Sequence, residues 1–425
     1  MKRGNAINIS VGKREVIALF ALLAFSFLVK VLLFPLPGYS IDTNDFASWF
    51  HTAATYGVRV FYPNAGFCDY PPFNIFIFWV FGSLAARLQL FGTGLLNYVI
   101  KLPPNIFDTA TAFLIFMFVR KRLNFKTSLV AASVYAFNPA VIFNTAVWGQ
   151  YDSIYTSLLV LSLLLIFASK PEFSAVTFTI GLLTKPQSIA LAPLIAFVIF
   201  SKFGWRRLLV SIVAAASTLF IIILPFQWSN PIIFLKNIYF GAYQGYPYTT
   251  MNAFNIWAFG GFWVSDTRSF LLVNAFEIGW VLFGALAVFA LYMVHRRLKV
   301  SGELLVLFAA FVLFFGFFML PTRIHERYIF PALSVLALTI PFLKKMRPIY
   351  AVLTFTCLIN QAYILYYILD ANTFISNADP VAFAVSLINS AVFVYVLMLI
   401  WGEMKGTPWL SLSRTELSTK TQQGG

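Results

Sequence analysis

This chain is short of acid. Of its 425 residues only 15 are Asp or Glu, against 30 Lys and Arg. A soluble domain carries about a quarter charged residues; here the fraction is 11%, with 60% hydrophobic, which excludes an ordinary soluble fold. Histidine and cysteine are also sparse, at 3 and 2. Cys68 falls in a connecting segment and Cys357 inside an apolar run, with no metal spacing, so neither a zinc site nor a disulfide is expected. The roughly ten-residue alternating segments of a membrane β-barrel are missing. So is any internal repeat, which disfavours solenoids and inverted-repeat transporters.

What is there is a succession of apolar runs approaching the roughly 20 residues that a spanning helix needs. The chain reads as an all-α, polytopic integral membrane protein. Aromatics make up 18%, with 49 Phe; most suit lipid or core, while Tyr and Trp in the outer connections suit a groove for an amphipathic ligand. The net charge of +15 sits in short clusters between spans, which is a topology signal and not a nucleic-acid footprint.

Spans are expected near 16–34, 105–119, 128–143, 153–168, 173–185, 187–200, 208–225, 270–293, 303–320, 327–343, 348–369 and 380–401. That makes about 12 transmembrane helices in one domain, 1–401, with both ends cytoplasmic. Most Lys and Arg then fall on the inner side, as the orientation rule asks. The first span is long enough to stay as an uncleaved anchor. Residues 73–91 are apolar enough to cross, yet crossing would move Arg120-Lys121-Arg122 outside. They are therefore read as an interfacial or re-entrant helix in a long first outer loop, 35–104. A second long outer loop covers 227–269, and the polar tail 402–425 is expected to be a disordered cytoplasmic segment. The lone glycosylation pattern, Asn8-Ile9-Ser10, falls on the inner side.

This topology brings the polar islands to one face. The first loop reads YSIDTNDFASWF and later CDYPPF, carrying Asp42, Asp45, Asp69 and Tyr70. Scarce acid clustered beside a membrane is a functional hypothesis by default. Further outer turns hold Asn138, Trp148, Gln150 and Asp152; Thr184-Lys185-Pro186-Gln187; Asn252 and Asn255; and Arg323, His325, Glu326, Arg327 and Tyr328. Acids, a few strong cations, amides and aromatics on one surface suit an amphipathic ligand with an anionic head.

These motifs resemble the GT-C superfamily of membrane glycosyltransferases, which take sugar from a polyprenyl-phosphate. The carrying residues are the Asp42-to-Trp49 spacing, DYPP at Asp69–Pro72, NPA…WGQYDS over Asn138–Ser153, TKPQ at Thr184–Gln187, MNAFNIW at Met251–Trp257 and HERYIFP at His325–Pro331. They run in the order found in mannosyltransferases related to the second mannosyltransferase of GPI-anchor synthesis and to phosphatidylinositol-mannoside mannosyltransferases. The resemblance implies a polyprenyl-phosphate sugar donor and an active site on the non-cytoplasmic face.

On that footing, the expected reaction is inverting transfer of a sugar, mannose foremost, to a lipid or glycan acceptor. Asp42 is expected as the base for the acceptor hydroxyl, or else as a helix cap. Asp45, a turn on, is the second catalytic candidate, expected to raise Asp42 by like-charge repulsion, or else simply sits in the first turn of the same helix. Arg327 and His325 suit the donor phosphate; Glu326 could instead pair with an Arg in a purely structural turn. Arg323 and Lys185 are further phosphate candidates, Lys185 with the alternative of snorkelling. Asp69, Tyr70, Gln150, Asp152, Asn252, Asn255 and Glu326 are candidates for the sugar or acceptor, Asp69 also for fixing its turn and Asp152 for capping its helix. His51 and His295 read as ordinary surface or interface residues. No cofactor is expected, and a divalent metal is not demanded.

The main rival is a transporter or flippase of lipid-linked sugars, for which Lys30, Asp108 and Glu277 are the mid-span charges. A non-enzymatic scaffold would leave the outer acids unexplained. A protein acceptor is less favoured because no large soluble outer domain is seen. Membrane lipids are the surroundings, nucleic acid is not a partner, and a monomer is expected. The membrane is the plasma membrane in a prokaryote and the ER in a eukaryote.

Overall fold

The computed structural model describes residues 12–270, 273–369 and 373–405. The expected tail beyond 405, the N-terminal basic pair and the Asn8 pattern lie outside the described residues; Gly402–Met404 continue the last helix.

The chain is all-α. It opens with α1 (Lys13–Leu33), α2 (Ser40–Tyr56), the short α3 (Phe61–Asn64), α4 (Pro72–Arg87) and α5 (Leu96–Arg120). Then come α6 (Phe125–Ala136), α7 (Pro139–Ile142) running into a π turn at Phe143–Trp148, α8 (Asp152–Phe167) and α9 (Pro171–Leu182). A 3-10 turn at Pro186–Leu191 leads into α10 (Ala192–Ile223), followed by α11 (Pro231–Gln244) and a 3-10 turn at Ile256–Gly260. The rest is α12 (Ala275–Met319), α13 (Phe330–Thr339), α14 (Met346–Tyr363) with a π turn at Ile364–Leu369, and α15 (Pro380–Met404). A two-residue β pair joins Ser269–Phe270 to Val273–Asn274.

Among the described residues, six helices are long and apolar enough to cross a membrane, seven if the pair Phe125–Ala136 and Pro139–Trp148, bent by 45°, counts as one. The expected twelve is therefore not what helix length alone yields: α8 and α13 are apolar but short, and 16 residues reach only about 24 Å. Two of the six, however, are not rods. A straight 45-residue α12 would measure about 68 Å. Yet a methyl group built on Gly279 would lie 2.8 Å from the Leu320 carbonyl oxygen, and the Trp280 ring meets Phe317 at 6.1 Å. The chain folds back at Gly302, whose φ of 57° only glycine adopts readily. Likewise Asn74 Nδ2 reaches Thr184 O at 2.5 Å, while Phe76, half a turn on, packs on Phe226. The chain between 184 and 226 reverses at Gly204, φ 81°. The returning half of α12 is buried around its whole circumference, as a helix apolar on every side must be.

Helix α5 organises the molecule. It starts at Leu96, ahead of the expected span, and contains Pro103 and Pro104. Pro104 has no N–H for the Ile100 carbonyl, and the buried Tyr151 hydroxyl donates to that oxygen instead at 2.9 Å. One stripe of α5 is polar: Asn97, Lys101, Asn105 and Asp108 bond to α1, to the segment after it and to the π turn. Residues 73–91, expected in the first loop, form α4 and the turn after it, α4 packing on α2. A methyl on Gly82 would meet the Phe50 carbonyl oxygen at 2.2 Å, so the two backbones touch there.

Candidate active site

Asp42 lies in the first turn of α2 but does not cap it: Tyr39 is the cap residue, with no side-chain cap bond. Instead the Asp42 carboxylate accepts at Oδ2 from Trp148 Nε1 (2.8 Å) and Gln150 Nε2 (2.7 Å). The sequence folds this way because the π turn ends at Gly149, φ 84°, so that Gly149 N and Gln150 N both donate to Asn144 O. The turn projects both donor side chains toward α2. The close approach requires Gly38, where a methyl would fall 2.3 Å from the Trp148 carbonyl oxygen.

Asp42 belongs to a cavity of about 280 Å³. Its acidic wall is Asp42, Asp45 and Asp69. The facing wall is the turn His325, Glu326 and Arg327. Gln150 and Asn252 supply amides, and Trp49, Tyr70, Trp148, Tyr246 and Trp263 supply aromatic surface. A larger groove of about 640 Å³ between α12 and α15 is lined by apolar side chains and shares no residue with it.

The electrostatics are uneven. Burial, then the Asp42 charge, raises the Asp45 carboxyl above the usual range. Like-charge coupling with Asp42 thus registers at Asp45. Burial also raises Asp69, opposed by the positive Lys185 and Arg327. Burial, then the Arg327 and Lys185 charges, holds His325 well below its ordinary value, so the imidazole is neutral near pH 7. Glu326 is raised by burial and pairs with Arg327. The Arg327 guanidinium lies 5.7 Å from the Trp148 ring centre, and its Nε has no hydrogen-bond partner among the described residues.

Several candidates stand elsewhere than expected. Asp152 is fully buried, does not line the cavity, and holds Lys185 Nζ at 2.7 Å and Asn144 Nδ2 at 3.2 Å, with Arg327 Nε at 3.8 Å. It is a counter-ion behind the wall: as the first residue of α8 it points into the helix packing. Lys185 is likewise buried, 6% exposed, so it neither snorkels nor faces the cavity directly. Arg323 is withdrawn from the site: Asp266 binds it twice, at 2.8 and 3.2 Å, and it packs over the rings of Tyr243 and Phe276. Asn255 caps the 3-10 turn through Trp257 N and donates to Phe318 O, fully buried. Asn252 does line the cavity, its Oδ1 accepting from Trp263 Nε1 at 3.2 Å.

Sequence reasoning missed the supports. Asn360 holds the Asn252 and Phe254 backbone, while its neighbour Gln361 accepts from Asn144. The signal was present: two adjacent amides inside the apolar run of α14, where polar groups need partners. Trp263 was also missed; its φ of 56° is unusual for a bulky residue and gives no sequence signature. Among the described residues, no three His, Cys, Asp or Glu side chains form a group that could hold a metal ion.

The fold and site together define an integral membrane protein with an acid-rich, cation-faced cavity. Residues 69–228 match the family model described as dolichyl-phosphate-mannose-protein mannosyltransferase, which lies in the GT-C superfamily. The match bears out the resemblance to GT-C polyprenyl-phosphate-sugar glycosyltransferases, although it names the protein-mannosyltransferase branch and not the two branches suggested by the motifs. No curated protein matches the chain.

Proposed function

We propose that this chain is an inverting glycosyltransferase that moves mannose from a polyprenyl-phosphate donor to a lipid or glycan acceptor at the non-cytoplasmic face. One observation carries the reading: aspartates from the first loop and the His325–Arg327 turn, far apart in sequence, wall the same cavity. Counting each arm of the reversals at Gly204 and Gly302, the helices make twelve crossings with both ends cytoplasmic. The ion pairs Arg120–Glu15, Arg122–Glu303, Arg207–Glu172 and Arg297–Glu403 then mark the inner side.

The acceptor hydroxyl oxygen attacks the anomeric carbon from the face opposite the phosphate. The bond from that carbon to the phosphate oxygen breaks, the configuration inverts, and the hydroxyl proton passes to Asp42. Trp148 and Gln150 fix one carboxylate oxygen of Asp42 and leave Oδ1, which has no partner among the described residues, for the proton. Positioned proton transfer of this kind is worth about 10²–10⁴ in rate. The polyprenyl phosphate leaves with its charge facing Arg327, whose planar fork suits phosphate oxygens, and His325, which donates a hydrogen bond as a neutral imidazole. Lys185 adds positive potential from behind. No metal or other cofactor is assigned a step.

A transporter finds no support in the charges once counted toward it. Lys30 and Asp108 neutralise each other in a buried pair, and Glu277 forms a capping box at the start of α12. The members of the matched family, by its description, mannosylate protein, so the acceptor is the part of the reading most in need of test. Purified protein is incubated with radiolabelled polyprenyl-phosphate-mannose, then with the glucose and arabinose forms. Separate arms hold a membrane lipid extract, a soluble glycan and a Ser/Thr-rich peptide. Label should move from the mannose donor to lipid or glycan. Transfer to peptide alone replaces the acceptor, and consumption of no donor at all ends the assignment.

A further inference from the structure

Lys101 is a fully buried lysine, 1% exposed, with no carboxylate partner among the described residues. Its ammonium donates to three backbone carbonyls: Phe34 O at 3.1 Å, Leu36 O at 2.7 Å and Val147 O at 2.8 Å. An ammonium has three protons to give, and all three are used. Phe34 O and Leu36 O lie at and just beyond the C-terminus of α1, and Val147 O in the last turn of the π helix. Carbonyls at such ends have no intrahelical partner and carry the negative end of the helix dipole. Two helix ends meeting at one cation provide the charge compensation that a carboxylate would otherwise supply.

The two ends lead to the same atom. Beyond Leu36 the chain runs through Gly38 into α2 and reaches Asp42. Beyond Val147 it runs through Trp148 and Gly149 to Gln150, and those two side chains hold Asp42 Oδ2. The stem of Lys101 also fills the space beside Gly149, where a methyl would meet it at 3.3 Å. Asn105, one turn along α5, adds a bond to Thr145 O at 2.9 Å, so the π turn is held from the same stripe.

We propose that Lys101 is a positioning residue for the proposed base: it ties the backbone that carries Asp42 to the backbone that carries its two hydrogen-bond donors, and so sets the carboxylate's aim. This rests on the functional reading above. A misplacement of about 1 Å can lower a rate on the order of 10²-fold, which sets the scale expected.

The test uses full-length protein in detergent or nanodiscs, with Lys101→Met, Lys101→Arg and each change combined with Asp42→Asn. Lys101→Met should lower kcat by roughly 10²-fold with KM for polyprenyl-phosphate-mannose little changed, and Lys101→Arg should recover much of the loss. In the Asp42→Asn background, Lys101→Met should lower the residual rate no further. Equal loss in both backgrounds, or full activity of Lys101→Met, overturns the proposal. Hydrogen exchange decides the matter without substrate. In Lys101→Met the amides of 38–42 and 149–150 should exchange faster while α12 and α13 keep their protection. Unchanged exchange at 38–42 overturns the positioning role; an inactive wild type overturns only the functional reading.

Discussion

The two ends of this helical assembly handle charge in opposite ways. At the end away from the cavity, Arg120 faces Glu15, Arg122 faces Glu303, Arg207 faces Glu172 and Arg297 faces Glu403, each acid with a basic partner. At the cavity and just behind its wall, Asp42, Asp45, Asp69 and Glu326, with Asp152 behind, gather around Arg327 and the buried Lys185, with His325 neutral. Paired charge holds helices in register. Surplus acid, kept partly out of water, is costly to fold, and under the proposed reaction it would take a proton and hold a sugar hydroxyl. The same contrast appears within one turn: Arg323 is bound twice by Asp266 away from the cavity, whereas Arg327 lines the cavity beside its partner Glu326.

The largest break in this contrast comes from neutralising the acid that has fixed donors. Asp42→Asn should lower turnover by about 10²–10⁴-fold while leaving donor binding nearly intact, read by single-turnover rates and by equilibrium binding of labelled donor. Equal loss of binding and turnover would mean that Asp42 holds substrate and does not accept the proton. Next is Arg327→Gln, which removes a charged donor and should cost about 10²–10³ in kcat. Arg323→Gln is its control in the same turn: it should lower thermal stability, through the abandoned Asp266 carboxylate, more than it lowers kcat per folded molecule.

A smaller effect sharpens the electrostatics. Asp45 is raised above its unfolded value, so the folded state prefers it protonated, and ionisation weakens the fold as pH rises through that range. Asp45→Asn should therefore raise the melting temperature at pH 7, with the gain fading as pH falls toward about 3.9. His325 has the opposite sign. Its folded value is depressed, so its stability is fully present above about pH 6.5 and is lost as pH falls below that. His325→Asn should flatten that acid-side loss in a pH series of melting curves. Were the two variants to share one pH trend, this account of the cavity's charges would be wrong.

Much of this was legible in the residues. Membrane class followed from composition, and the convergence of Asp42, Asp69, Gln150, Asn252 and Arg327 followed from motifs placed on one face. Orientation of individual side chains was not legible. Asp152 and Gln150 share a motif, yet one enters α8 packing and the other faces the cavity, a difference set by the left-handed Gly149. Arg323 and Arg327 share a turn, and only the position of Asp266, from a distant loop, separates them. The reversals at Gly204 and Gly302 fall at or near the breaks expected between the spans 187–200 and 208–225 and between 270–293 and 303–320; what the residues did not show is that a single glycine of positive φ makes each turn.

The smallest predicted effect tests the other half of the contrast. Arg207 and Glu172 form a two-bond pair on the exposed end, with Arg207 Nη2 to Glu172 Oε2 at 2.6 Å. Water competes for both partners there, and holding two long side chains in one geometry offsets most of the attraction. Arg207→Gln should therefore leave kcat unchanged and the melting curve nearly superimposable on wild type, with any small shift shrinking further at high salt. A marked loss of turnover from this distant change would mean that the hairpin at Gly204 transmits strain to Lys185 and the cavity. The division between structural pairs and functional surplus would then have to be redrawn.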